Sequence, residues 1–150
     1  MEKTNGIYAQ LQSCLDKVIN KLGPERTTFL LESFIANTTL NENEKGNVKL
    51  VLEFLAEKAI EIFELEEKFF YQSNIRAYRD ARMCCFHLLK KYTSDTFSKI
   101  ALSFRCSDRV VSYGFHTADE RLSVPKFHQE FVAKYTSLES QTINFIAKIN

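Results

Sequence analysis

Residues 95–122, DTFSKIALSFRCSDRVVSYGFHTADERL, constrain the chain most, because they read as two short helices joined by a tight turn. In the first, Ile100, Ala101 and Phe104 supply the apolar contacts, and Ala101 is small enough to let the second helix cross close by. Cys106 then turns inward. Ser107 or Asp108 can cap the second helix by accepting from its free N-terminal amides, and Val111, Phe115, Ala118 and Leu122 return to one face. At about 100° per residue, Arg109, Ser112, Tyr113, His116 and Thr117 fall on the opposite side. A helix-turn-helix keeps its base-reading groups on that side of its second helix. An amphipathic helix pair that binds no nucleic acid shows the same spacing, so both readings stand at this point.

Long stretches lack turn punctuation, with 4 Gly and 2 Pro in 150 residues, and no run alternates as a strand does. An all-α fold is expected, and the length suffices for a real core. The first residues, MEKTNGIYAQLQS, lack the basic start and continuous apolar run of a secretory leader, and no segment approaches the ~18 uninterrupted apolar residues of a membrane span. A soluble, cytoplasmic protein without membrane association is the expectation. Cys14, Cys84, Cys85 and Cys106 form no disulfide framework and suit reduced, buried thiols. Cys84, His87 and Cys106 include no paired ligand motif, so neither a metal nor another cofactor is expected.

The rest of the chain reads as helices in series. Residues 7–22 place Ile7, Leu11, Cys14, Leu15, Val18 and Leu22 on one stripe, and Gly23 ends this helix. Pro24 opens the next, whose Phe29, Leu30, Leu31, Phe34 and Ile35 lay an apolar face back on the first. The polar residues 38–47 read as a linker, so residues 1–46 form an N-terminal helical hairpin and residues 47–150 a helix-turn-helix domain. From Val48 a helix turns Val51, Leu52, Leu55, Ala59, Ile62 and Phe63 inward. Phe69, Phe70 and Tyr71 then read as core. A further helix buries Ala81, Cys84, Cys85, Leu88, Leu89 and Tyr92. After Pro125, the residues Phe127, Phe131, Tyr135, Leu138, Phe145 and Ile149 trace a C-terminal helix with a kink near Thr136 and Ser137. It covers the back of the three-helix unit or, alternatively, forms a homodimer interface.

The net charge of +1 conceals a division. Residues 1–74 hold 8 Lys/Arg against 12 Asp/Glu, whereas residues 75–122 hold 9 against 5. A localised basic surface, more than net charge, is what nucleic acid requires. Arg76, Arg79 and Arg82 recur at intervals of three and can line one edge, where a guanidinium offers phosphate a fixed fork of donors.

This region resembles the C-terminal DNA-binding domain of the bacterial replication initiator DnaA, from near Val51 to Leu122. In ARMCCFHLLKKYTSDTFSKIALSFRCSDRVV, Arg82, Leu88 and Thr93 fit the family's long helix. Ile100 and Ala101 fit its Ile-Gly step, Phe104 its signature Phe, and Asp108 its signature Asp. Arg105 and Cys106 replace two glycines, Ser107 the signature Arg, Arg109 the His, and Val110 a Thr. The resemblance implies a DnaA/Trp-repressor-like helix-turn-helix within a helical bundle and binding of duplex DNA, but not of the initiator's own recognition sequence. It carries no ATPase, since no Gly-rich phosphate loop of the Walker type occurs.

The expectation is therefore a sequence-specific or general double-stranded DNA-binding protein, of the scale of a replication accessory or a transcription regulator of a bacterial or mobile element. Arg76, Arg79, Arg82, Arg105, Ser107, Asp108, Arg109, Ser112, Tyr113 and His116 are its candidate DNA-binding residues. The alternative is a protein-interaction module that keeps the helical fold and binds a protein through an acidic N-terminal hairpin. An enzyme is not expected, because His87, His116 and His128 have no nucleophile or carboxylate arrangement visible in the sequence.

Overall fold

The computed structural model describes residues 2–37 and 45–149, in which seven α-helices and two short 3-10 turns account for the regular structure. The fold is all-helical, with no strand among the described residues. Two compact units divide the chain, Met1–Asn37 and Thr38–Asn150.

In the first unit, α1 (Glu2–Leu22) and α2 (Pro24–Asn37) are separated by Gly23 alone. Gly23 lies at φ +87°, a conformation open to glycine at little cost, and its N–H donates to Ile19 O at 2.7 Å. Its carbonyl then accepts from both the N–H and the hydroxyl of Thr27, at 3.1 and 2.8 Å. The glycine thus closes one helix and starts the next. Helix α1 begins earlier than the apolar stripe suggested. The expected apolar residue Phe34 lies outside the residues whose side chains are described, as do residues 38–44 of the expected linker.

The second unit opens with α3 (Lys45–Ile62), so the last residues of that expected linker are helical and the division between units falls before residue 46. Val51, Leu55 and Ala59 are fully buried along α3. Its end is a left-handed residue, Glu64 at φ +55°, after which Leu65 N donates back to Ile60 O at 2.9 Å. A 3-10 turn, Glu67–Phe69, leads on to α4 (Arg76–Tyr92). Phe70 is core and Tyr71 half-buried, but Phe69, expected inside, is exposed on that turn.

Helix α4 is the axis of the unit. Of its expected stripe, Ala81, Cys84, Cys85, Leu88 and Leu89 are fully buried and Tyr92 half-buried, while Met83, Phe86 and His87 are buried on the other sides. Burial around most of its circumference follows from its neighbours, since α3, α5, α6 and α7 all pack against it. Helix α5 (Phe97–Phe104) is capped by the Thr96 hydroxyl, which accepts from Lys99 N, and it buries Ile100, Ala101 and Phe104. Phe104 is the aromatic hub, with Phe86 edge-on at 4.9 Å between ring centres and Phe70 at 6.3 Å.

Helix α6 (Asp108–Ser123) buries Val111, Gly114 and Ala118 against α4 and α5. After a second 3-10 turn, Pro125–Phe127, helix α7 (Gln129–Ile149) runs without interruption. Thr136 and Ser137, where a kink was expected, lie within this continuous helix. Phe127, expected on the buried stripe, precedes α7 and is exposed, whereas Thr142 and Ile146 are fully buried. Thr142 is tolerated there because its hydroxyl donates to Leu138 O at 2.7 Å. Rather than chiefly covering the three-helix unit, α7 lies mainly along α3, where Phe145 stacks on Phe54 at 4.2 Å. No helix among the described residues is long and apolar enough to cross a membrane.

Candidate nucleic-acid interface

The connection between α5 and α6 is only Arg105, Cys106 and Ser107. Arg105 adopts the left-handed conformation at φ +56°, which favours glycine, and donates its N–H toward the carbonyls of Ala101 and Leu102. Cys106 N closes the α5 terminus on Ala101 O at 3.0 Å. Ser107 caps α6, its hydroxyl accepting from Val110 N at 3.3 Å. Asp108, in the first turn of α6, accepts a short hydrogen bond from the Ser98 hydroxyl of α5. Ser107 and Asp108 therefore fix how α6 leaves the turn, and their polar groups are already engaged within the fold.

Helix α6 divides largely along its expected faces, with Phe115 and Leu122 of the apolar stripe and Thr117 of the polar side partly buried. Val111 and Ala118 are sealed inside, while Arg109, Tyr113 and His116 are exposed and Ser112 is half-exposed. Tyr113, with 71% of its surface free, joins two open grooves. One, between α5 and α6, is lined by Lys90, Ser98, Asp108, Arg109, Ser112 and His116. The other, of about 540 Å³ between α4 and α6, carries Arg76, Arg79, Arg82 and Arg121 with Val110, Gly114 and Thr117. Eight of the ten candidate residues thus meet on this pair of grooves. Arg105 and Ser107 line neither, and the Arg105 guanidinium lies 5.9 Å from the Tyr71 ring centre.

The arginines differ in what they are free to do. Arg82, of the expected set, is engaged within the fold. Its Nη1 donates to Phe70 O at 2.6 Å and its Nη2 to Ser73 O at 2.7 Å, so it holds the loop before α4. Burial lowers its pKa from the ordinary value, without discharging a group so basic. Arg121 donates to Asp80 Oδ1 at 2.9 Å and stands 4.9 Å from the Phe131 ring centre, linking α6 to α4 and α7. Arg76 reaches the same carboxylate only loosely, at 3.8 Å, and is exposed. Arg79 and Arg109 have no side-chain hydrogen bond or ion pair among the described residues, so their guanidinium groups face solvent unspent.

Thr117, expected on the outward side of α6, lines the second groove, whereas the sequence reading did not place Val110, Gly114, Arg121 or Asp80 at the site. Val110 is about half exposed on the outward side of α6, where an apolar residue stands out in the helical pattern. Arg121 and Asp80 carried no comparable signal, because they are 41 residues apart and meet only through the packing of α6 on α4.

Behind this face lies an arrangement the sequence did not reveal. His87 does have a carboxylate partner: its Nε2 is 2.6 Å from Asp119 Oδ1, and its Nδ1 is 2.6 Å from the Tyr135 hydroxyl. Both ring nitrogens are thereby engaged, one by a carboxylate of α6 and the other by a hydroxyl of α7. The imidazole also stacks on Phe115 at 4.8 Å. One buried histidine thereby ties α4 to α6 and α7. Burial and the neighbouring Glu139 raise the Tyr135 pKa, so its hydroxyl keeps its proton. No three His, Cys, Asp or Glu side chains among the described residues are grouped to hold a metal.

No family model matches this chain, and no curated protein or solved structure matches it either.

Proposed function

We propose that this protein binds double-stranded DNA through a helix-turn-helix formed by α5, the Arg105–Cys106–Ser107 turn and α6, acting by binding and not by catalysis. The observation that carries the reading is the union of two features on one surface. An α6 face with Arg109, Tyr113 and His116 free is bordered by a groove bearing Arg76 and Arg79 of α4. In this arrangement α6 enters the major groove, Arg109 approaches a base edge, and the α4 arginines hold the phosphates. Val110 supplies an apolar contact of the kind that suits a thymine methyl. The resemblance to the DnaA C-terminal domain supports the same reading, since Arg105 holds a left-handed conformation where that family has glycine. We place the protein in the cytoplasm as a replication accessory or transcription regulator, with its four cysteines reduced.

Titration of the protein onto random duplexes at increasing salt tests this. Phosphate contacts from Arg76 and Arg79 predict a log–log slope of about −2. Absence of binding at low salt refutes the proposal and leaves the protein-interaction module. That second reading is favoured by the apolar side chains exposed on α1 and α2.

A further inference from the structure

The first unit exposes what a folded helix pair ordinarily hides. Among its described side chains only Thr27 is buried, while Ile7, Leu11, Val18, Leu22, Phe29 and Leu30 are exposed. On α1 the first four of these fall within one stripe at about 100° per residue. A 37-residue unit lies below the length of about 40 at which a chain can build a sufficient core unaided. Its apolar surface therefore needs a partner. The exposed large apolar side chains of α1 and α2 together present on the order of 900 Å², against the roughly 800 Å² that each partner buries in a standard stable complex.

We infer that the partner is a second copy of this unit, the two helix pairs closing into a four-helix bundle that makes the protein a homodimer. Charge favours this occupant. Residues 1–37 hold four Lys/Arg and four Asp/Glu, so two copies approach without net repulsion. The acidity expected of the N-terminal hairpin resides instead in Glu42, Glu44 and the acidic residues beyond them. The exposed surface therefore offers no single sign of charge to select a basic partner. Two-fold pairing also sets the same apolar stripe against itself, so one sequence supplies both halves of the bundle. The inference is independent of DNA binding.

Light scattering coupled to size exclusion, on the full chain at micromolar concentrations, reads the outcome directly. Twice the 17.4 kDa chain mass is expected for the parent, and a return to the single mass for Leu11→Glu combined with Val18→Glu. Leu102→Glu, at an exposed site on α5, retains the double mass. The parent's melting temperature rises with protein concentration, a readout that needs no variant. A parent of single mass with concentration-independent melting overturns the inference, as does a double mass that survives the Leu11 and Val18 substitutions.

Discussion

Replacing Gly114 by Ala sets two opposed effects against each other in one measurement. Gly114 is buried in the middle of α6, where alanine is favoured over glycine by about 1 kcal/mol because it restricts the unfolded chain and suits the helix. The same methyl has nowhere to go. A Cβ at this position stands 2.9 Å from Phe86 Cδ2, 3.4 Å from Cε2 and 3.6 Å from Met83 Cγ. The Phe86 ring cannot simply swing aside, because it is itself buried and packed edge-on against Phe104. Inserting one carbon into a filled core costs about 1–3 kcal/mol. The penalty exceeds the helical gain over most of that range, so Gly114→Ala is expected to destabilise by about 1 kcal/mol, and Gly114→Val by more. Urea unfolding followed by far-ultraviolet circular dichroism gives the difference as a shifted midpoint at unchanged slope. A variant about 1 kcal/mol more stable than the parent refutes the reasoning, since propensity then acts without opposition and α6 does not approach α4 this closely.

The two arginines that share a sequence pattern separate by experiment. Arg82→Ala removes two charge-assisted hydrogen bonds and lowers stability by about 1.5–3 kcal/mol in urea unfolding, while Arg79→Ala leaves stability within about 0.5 kcal/mol of the parent. In the DNA titration Arg79→Ala instead flattens the salt slope by about 1. Burial pushes the Glu139 carboxyl upward, but hydrogen bonds from Tyr92 and Lys91 outweigh it and leave the pKa below the ordinary value. The stability this gives is present above the unfolded carboxylate pKa of about 4.3 and disappears as pH falls through the lower folded value. Glu139→Gln is accordingly less stable at neutral pH and loses less than the parent on acidification, as melting across that interval measures. Burial pushes the Cys85 thiol up to about 12 and raises Cys84 well above its normal range, whereas Cys14 is exposed. A thiol-specific disulfide reagent at neutral pH should label Cys14 promptly and Cys84 and Cys85 only on unfolding.

How far the fold was legible varied with how local its causes are. The α5–α6 pair was readable because its signals lie within its own residues, from the Ser107 cap to Val111 and Ala118. Helix α4 was half readable. Its stripe of Ala81, Cys84, Cys85, Leu88 and Leu89 is a periodic signal, but the burial of Met83, Phe86 and His87 depends on other helices closing around it. Likewise, nothing local marked Thr142 as a buried position of α7, where its hydroxyl donates to Leu138 O.

The candidate site follows the same division, and its limits show what a charge pattern leaves undecided. Arg76, Arg79 and Arg82 do reach one groove, as spacing of three along a helix allows. Spacing does not determine which guanidinium remains available. Arg82 is taken by two loop carbonyls twelve and nine residues earlier, and Asp80 is shared by Arg121 and Arg76. Those commitments carry no periodic signature, since they arise where a loop folds against a helix end or two helices pack. The outward face of α6 was easier to infer because it is defined by contrast with the buried face of the same helix. His87 completes the contrast: in sequence it is an isolated histidine, and only the packing of α6 and α7 on α4 supplies Asp119 and Tyr135 to its two nitrogens. The outward face of α6 thus rests on an interior anchored by polar pairs as well as apolar ones. A substitution at His87 should accordingly disturb the placement of α6 without touching any residue that faces the grooves.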